Sequence, residues 1–408
     1  MSDVASSPVR VLVLSFYFRP DLSAGSFRTT ALVEEMRKML PAGSHIDVLT
    51  TKPNRYHSFT AQAGACESDG DVTITRFELP AHRSDFFGQA RAFLKFARDA
   101  RRQTLAQNYD VMFATSSRLM TATLGASIAR RLRIPLYLDI RDIFVETIGD
   151  VLPKRFAPLV PLVRAVFSAI ERRTISTAAR VNLVSRGFEP YFAGRYPGRE
   201  FSWFTNGVDD EFLVEAAPSP KPPRADRALV VYAGNLGESQ ALHHVLPGLA
   251  RALADQARFL VVGDGGRREQ LEKALTAAGI DNVELRKPVS RAGLIDIYRS
   301  ADVLFLHLGD QPAFERVLPS KLFEYAALGK PVLAGVGGYA ARFVAEEIQN
   351  SAVFAPCDSA GGAAAFDTLD IRDTPRPAFI AKYRRDHIAR RIAADVLALA
   401  KPVRERGS

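Results

Sequence analysis

Short apolar runs alternate with stretches of helical period through most of the chain, the pattern of βα units wound around parallel sheets. In the first half, VRVLVLSF (9–16), HIDVLTT (45–51), VTITRFEL (72–79), VMFATSS (111–117), PLYLDIRD (135–142) and RVNLVS (180–185) read as strands. The pattern restarts with ALVVYAGN (228–235), RFLVVGDG (258–265), NVELRKPV (282–289), DVLFLHL (302–308) and PVLAGVGG (331–338). Between the halves lies a turn-rich stretch, 206–227, containing APSPKPPRAD, and this predicts a linker. The expected organisation is an N-terminal domain over 1–205, a linker over 206–227, a second domain over 228–376, and a C-terminal helix within 377–408 that packs back toward the first domain. Both domains are predicted to be α/β, Rossmann-like and doubly wound, with the carboxyl ends of their strands facing a central cleft.

The bulk numbers narrow the function classes. At 408 residues, with 47% apolar and 24% charged content, the chain is long enough for two cores. Its net charge of +9 suits an anionic partner. Nucleic acid is disfavoured, because no zinc-finger spacing, aromatic-basic sheet motif or long basic tail is present. Cys66 and Cys357 have no metal-ligand spacing and suggest a reducing compartment. The apolar run Val11–Phe18 is too short for a membrane span or a signal segment, so the expected location is cytoplasmic.

Several stretches carry candidate chemistry. In ERVLPSKLFEYAALGKPV (315–332), Ser320 is a natural N-cap, Gly329 and Pro331 end the helix, and Ser320, Lys321 and Glu324 share one face. This is either a capped surface helix with an ion pair or a nucleotide pocket wall, where first-turn amides and Lys321 meet phosphate and Glu324 accepts ribose hydroxyls. AGNLGESQ (233–240) follows a strand and opens a helix, with Gly234 and Gly237 permitting close backbone approach. VGDGG (262–266) predicts a tight turn at Asp264, and Asp302 a structural role. YLDIRDIFVETIGD places Asp139, Arg141, Asp142 and Glu146 at and beyond a strand's carboxyl end, where charges are paired or functional. The first βα connection carries Arg19, Gly25, Ser26 and Arg28. His243 and His244, adjacent on a helix, cannot face one metal site.

The order TNGVD (205–209), YAGNLGESQAL (232–242), FLVVGDGGRREQLE (259–272), NVELRKPVSRAGLIDIYRSADVLFL (282–306) and LPSKLFEYAALGKPVLA (318–334) resembles the C-terminal domain of family 4 retaining glycosyltransferases. The RD-aromatic-x-E segment and the PSKxFEY helix are similar to the branch that adds amino sugars (N-acetylfucosamine type) in bacterial O-antigen and capsule assembly. The resemblance implies a GT-B fold, a nucleotide diphosphate sugar donor with UDP favoured, a carbohydrate and lipid-linked acceptor, retention of configuration, and neither cofactor nor metal.

It also implies residue roles. Glu324 matches the second Glu of the family's E-x7-E pair, whereas the first falls on Arg316, with Glu315 one residue out of register. Arg316 and the amides of residues 314–317 are then expected at the sugar or diphosphate. Asn235 and Gln240 stand where many members have an Arg and a Lys, so Lys321 must carry more of the charge. AGSFR loosely matches the small-residue turn over the donor phosphates, which assigns Gly25, Ser26 and Arg28 to the donor with Gly234, Gly237 and Val289. Arg141, Asp142 and Glu146 are the expected catalytic group, Arg141 near the phosphates and Asp142 or Glu146 orienting an acceptor hydroxyl or a sugar group.

Two rival readings use the same pocket: a sugar-nucleotide epimerase or hydrolase of the same fold, and an inactive nucleotide-sugar binder. A dehydrogenase is disfavoured, since neither half opens with G-x-G-x-x-G and a following acid at the expected distance. Residues 86–105 and 151–174 mix basic and apolar side chains, as do ordinary amphipathic helices and helices that lie on an anionic membrane face.

Overall fold

The computed structural model describes residues 7–21, 23–53, 63–79, 86–116, 119–151, 158–213 and 227–400. The chain divides into two compact units, one built from residues up to Asn206 together with those from Asp386 onward, the other from Gly207–Arg385. Most of the expected linker, 214–226, lies outside the described residues.

The first unit holds a seven-stranded sheet: β1 (Arg10–Leu14), β2 (His45–Thr51), β3 (Cys66–Asp69), β4 (Val72–Phe77), β5 (Val111–Thr115), β6 (Leu136–Ile140) and β7 (Arg180–Leu183). Its order is β3-β4-β2-β1-β5-β6-β7. All pairs are parallel except β3–β4. The central strands are buried on both faces, which is why they read as continuous apolar runs. β3, sequence CESD, is exposed throughout and has no apolar face to read; it pairs through a two-residue loop in which Gly70 takes φ 61°.

The second unit holds β8 (Ala228–Asn235), β9 (Ala257–Asp264), β10 (Val283–Arg286), β11 (Val303–His307), β12 (Val332–Gly335) and β13 (Ser351–Phe354). Its order, β10-β9-β8-β11-β12-β13, is parallel throughout. Numbered within the unit this is 3-2-1-4-5-6, so the winding reverses between β8 and β11, and ligands of such sheets bind beyond the carboxyl ends there. Alternate residues of β8 serve opposite cores: Val231 and Ala233 on one face, Val230 and Tyr232 on the other.

The expected single helix at the C-terminus is two. Pro377–Tyr383 belongs to the second unit, where Phe379 and Tyr383 pack on Phe323 and Phe343. The helix Arg385–Leu397 belongs to the first from Asp386 onward, and there Ile388, Ile392 and Val396 join the core around Val11 and Val48. The break falls at Arg384, whose backbone leaves the helical region and pairs with Val208. No helix among the described residues is long and apolar enough to cross a membrane.

Candidate functional site

At the carboxyl end of β8 the chain turns through AGNLG. Tyr232 donates its hydroxyl to the Asn235 carbonyl at 2.7 Å. The Asn235 amide donates to Gln240 Oε1 at 2.9 Å, and that oxygen also accepts the Gly237 N–H at 3.3 Å. These two side chains therefore brace the turn, with Gln240 serving there as the acceptor. Gly263 on β9 passes so close that a Cβ there would lie 1.8 Å from the Gly234 carbonyl oxygen. As expected, Asp264 makes a turn: its side chain accepts the Gly265 N–H at 2.8 Å, while its carbonyl accepts from Leu236. Asp302 accepts the Leu229 N–H at 2.8 Å and is structural, also as expected.

Lys321 reaches this turn. A Cβ on Gly234, whose φ is 153°, would fall 2.2 Å from Lys321 Nζ, so only glycine lets the ammonium settle against the backbone. The same ammonium lies 6.0 Å from the centre of the Tyr232 ring. Three residues further along the same helix, Lys321–Ala327, the half-buried Glu324 has a carboxyl that burial pushes above its usual range, opposed by the charges of Arg291 and Lys321. Asp209 binds both Arg291 and Arg385, and Arg291 also donates to Glu211 at 2.5 Å.

The start of that helix differs from expectation. Ser320 sits at the N-cap position, but its backbone is already helical and its side chain makes no capping bond. The Leu322 and Phe323 amides instead bond the carbonyls of Pro319 and Ser320 at 3.2 Å. The turn is wound too tightly to leave those donors for a phosphate. Likewise Pro312–Arg316 is a 3-10 turn that uses the amides of Phe314 and Val317 internally. Glu315 is exposed and Arg316 half-buried, and the Glu315 carbonyl is packed so closely on Gly338 that a Cβ there would meet it at 2.1 Å. Val289 is half-buried at the core edge.

In the first unit the candidates separate. Ser23 caps the helix Ala24–Met39 by accepting the Ser26 N–H, so Gly25 and Ser26 form an ordinary capped first turn. Arg28 is 4% exposed and makes a two-pronged ion pair with Asp139, 2.9 Å on each prong. It also donates to the carbonyls of Phe204 and Thr205 at 2.7 and 2.5 Å. Asn182 completes the network, donating to Asp139 and Phe204. Burial alone would raise the Asp139 carboxyl, but Arg28, Arg141 and Asn182 hold it below the usual range. Arg28 is thus committed to the fold and not to donor phosphate, and it, not Arg141, is the bidentate partner of Asp139. Arg141 instead donates its backbone N–H to Ser116 Oγ at 3.0 Å and reaches Asn206 at 3.4 Å. Asp142 lines a pocket with Ser116, Phe144, Glu171 and Phe192. Glu171 accepts from the hydroxyls of Tyr191 and Tyr196, and burial, aided by the Glu146 charge, raises its carboxyl. Among the described residues, no cluster of three or more His, Cys, Asp or Glu side chains could hold a metal ion.

Comparison with known proteins fits this arrangement. One family profile, described as a glycosyl transferase 4-like domain, matches residues 25–200, and a second, glycosyl transferases group 1, matches 227–369. The chain belongs to the GT4-like, group 1 glycosyltransferase family. Its two parallel-sheet units are those of the GT-B fold. WcaI of Escherichia coli K12, named for a glycosyl transferase step of colanic acid biosynthesis, is 31% identical over 104 residues, 26% of this chain. The match spans only 25% of that relative's own length. WaaG, a glycosyltransferase involved in lipopolysaccharide biosynthesis, is 14% identical with a TM-score of 0.62, covering 97% of both chains. A UDP-forming trehalose-phosphate synthase from Burkholderia vietnamiensis is also 14% identical, with a TM-score of 0.65 over 96% of this chain and 100% of its own. At such identity the two structures show the shared fold alone.

Within this family frame, sequence reasoning brought Gly234, Lys321 and Glu324 together and missed Arg291. Ser290 caps the helix Arg291–Ser300, which puts Arg291 in its first turn. A cation at the positive end of a helix is unfavourable unless carboxylates offset it, and in PVSRAG that mismatch was the available signal.

Proposed function

We propose that the chain is a retaining, metal-independent glycosyltransferase that moves a sugar from a nucleotide diphosphate sugar, a UDP-sugar by preference, to a lipid-linked carbohydrate acceptor in bacterial surface polysaccharide (O-antigen or lipopolysaccharide) assembly. The observation that carries it is Lys321 seated against Gly234 at the switch point of the second sheet, with Glu324 one helical turn away. Lys321 meets the diphosphate, Arg316 adds a second cation, and Glu324 accepts the ribose hydroxyls. Asp142 or Glu146 orients the acceptor hydroxyl, whose proton passes to the leaving diphosphate on the face of attack. The name of WcaI supports the polysaccharide setting, and UDP as the base is what the family resemblance implies.

Calorimetric titration with UDP, GDP, dTDP and ADP sugars tests the pocket, and turnover with and without acceptor tests the chemistry. A full rate without acceptor would replace transfer by epimerisation or hydrolysis, and failure to bind any of the four would remove the proposal. Asp142→Asn should leave donor affinity unchanged while lowering the transfer rate by roughly 10²–10⁴, the usual contribution of a positioned acid or base. Equal loss of both would assign Asp142 to folding.

A cytoplasmic membrane face is the proposed site of action. Leu162 and Val166 are 64% and 51% exposed on the helix Val160–Thr177, beside the exposed Arg164. The helix Phe86–Gln103 offers less, because Phe93 and Phe96 are buried against Phe16 and mainly Leu94 is presented. The side chains of Phe86 and Phe87, and residues Lys154 and Arg155, lie outside the described set. Leu162→Asp with Val166→Asp should reduce co-sedimentation with anionic vesicles by about tenfold or more; unchanged sedimentation would exclude this face.

A further inference from the structure

His307 closes β11, and no role has been assigned to it. Its ring is 1% exposed and rests on Gly335, where a Cβ would lie 2.3 Å from the ring carbon Cδ2. Both nitrogens are engaged. The backbone N–H of Cys357 donates to Nε2 at 2.9 Å, so Nε2 must be bare. Nδ1 therefore carries the proton and donates it to the Gln240 carbonyl at 2.7 Å. One imidazole in one tautomer thus ties together the loops after β8, β11 and β13, on either side of the switch point.

The loops it ties are held in conformations that need support. Ala241, immediately after Gln240, has φ 47°, and Cys357 has φ 62°, the left-handed region that non-glycine residues avoid. From His307 a continuous path leads to the Gln240 carbonyl, through the Gln240 side chain to Asn235 and the Gly237 amide, and so to Gly234 under Lys321. A second tie, Gly309 N–H to the Ser239 carbonyl at 2.9 Å, runs between the same two loops.

We propose that His307, as the neutral Nδ1–H tautomer, is a positioning residue of the nucleotide site: it fixes the backbone of the AGNLGESQ turn so that Gly234 and Lys321 present one geometry to a nucleoside diphosphate. This rests on the reading of Lys321 and Glu324 as that site. Burial, together with the nearby His244, outweighs the Gln240 carbonyl and Asp310 and pushes the imidazole down to about 4, which keeps the ring neutral. His307→Phe retains the ring volume and loses both bonds, whereas His307→Asn can restore the bond to Gln240.

The test uses whichever of UDP, GDP, dTDP and ADP binds the wild-type chain most tightly. In wild type, long-range proton–nitrogen correlation should show Nδ1 protonated and Nε2 bare, and these signals should move on saturation with the nucleotide. His307→Phe should raise Kd and the donor KM about tenfold with acceptor KM unchanged, and His307→Asn should recover part of the loss. A protonated Nε2, a signal indifferent to nucleotide, or a folded His307→Phe with unaltered donor KM would overturn the proposal. The tautomer and titration arms need no variant, so they decide the matter even where His307→Phe does not fold. Absence of binding by wild type to all four nucleotides would remove the site reading itself, and the positioning role with it.

Discussion

Glu324→Gln should weaken nucleotide binding by roughly 10–100-fold while leaving the protein folded. The variant keeps the shape and removes the charge. Hydrogen bonds to a charged partner contribute about 1.5–3 kcal/mol each against about 1 for neutral ones. Two ribose hydroxyls donating to a carboxylate would therefore lose about 1–3 kcal/mol together, and each 1.4 kcal/mol is tenfold in Kd. The pH dependence follows from the direction of the carboxyl's shift. Burial raises the Glu324 pKa more than Arg291 and Lys321 lower it. Proton uptake thus begins above the ordinary carboxylate range, and affinity should fall as pH is lowered into that window. For folding the sign is opposite: a raised carboxyl destabilises the native state increasingly as pH rises through its folded value, so Glu324→Gln should not lower the unfolding temperature at pH 7. Calorimetry across pH with thermal melts separates the two. A folded variant with unchanged affinity and a flat pH profile would take Glu324 out of the site.

What could be read in the sequence depended on how local its cause was. β1 and β5 are mainly apolar runs buried on both faces, and the neighbours along the chain are enough to reveal them. β3 and β13 were missed for related reasons. CESD is exposed on every side chain, and SAVF, four residues long, alternates buried with half-buried positions at a sheet edge. The C-terminal segment has continuous helical period, yet its two halves are claimed by different cores and it breaks at Arg384, which no local pattern marks.

The site divides in the same way. Gly234 and Lys321 were legible because a glycine-rich turn after a strand and a cation at a helix start have meaning within ten residues. Arg28 and Asp139 are 111 residues apart, and Asp209 and Arg385 are 176. The sequence contains 54 Lys and Arg against 45 Asp and Glu, so charge alone cannot choose those partners. Asn235 and Gln240 illustrate a further limit. Their place at the turn was legible, but the bond between the two side chains, five residues apart, was not.

Arg28→Met should produce the largest loss of stability among these substitutions, about 3–5 kcal/mol in the first unit, the usual consequence of removing one partner from a buried ion pair. The methionine fills much of the volume but takes a donor from three acceptors, the Asp139 carboxylate and the carbonyls of Phe204 and Thr205, and leaves Asn182 as the donor to the first two. Arg28→Lys should recover only part, since an ammonium cannot reproduce the planar fork that grips both Asp139 oxygens while reaching two carbonyls. Because Asp139 is held below its usual range, its pairing stabilises the fold above the unfolded carboxyl value, and that contribution disappears as pH falls through the depressed folded value. Wild type should thus lose its advantage over Arg28→Met in acid. With two units a single two-state melt is not assured, so hydrogen exchange resolved to the β1–β7 sheet is the suitable measure. Nucleotide affinity provides the contrast. If Arg28 acts through the fold, the folded variant at low temperature binds the nucleotide as wild type does, whereas a variant of undiminished stability with lost affinity would return Arg28 to the donor phosphates.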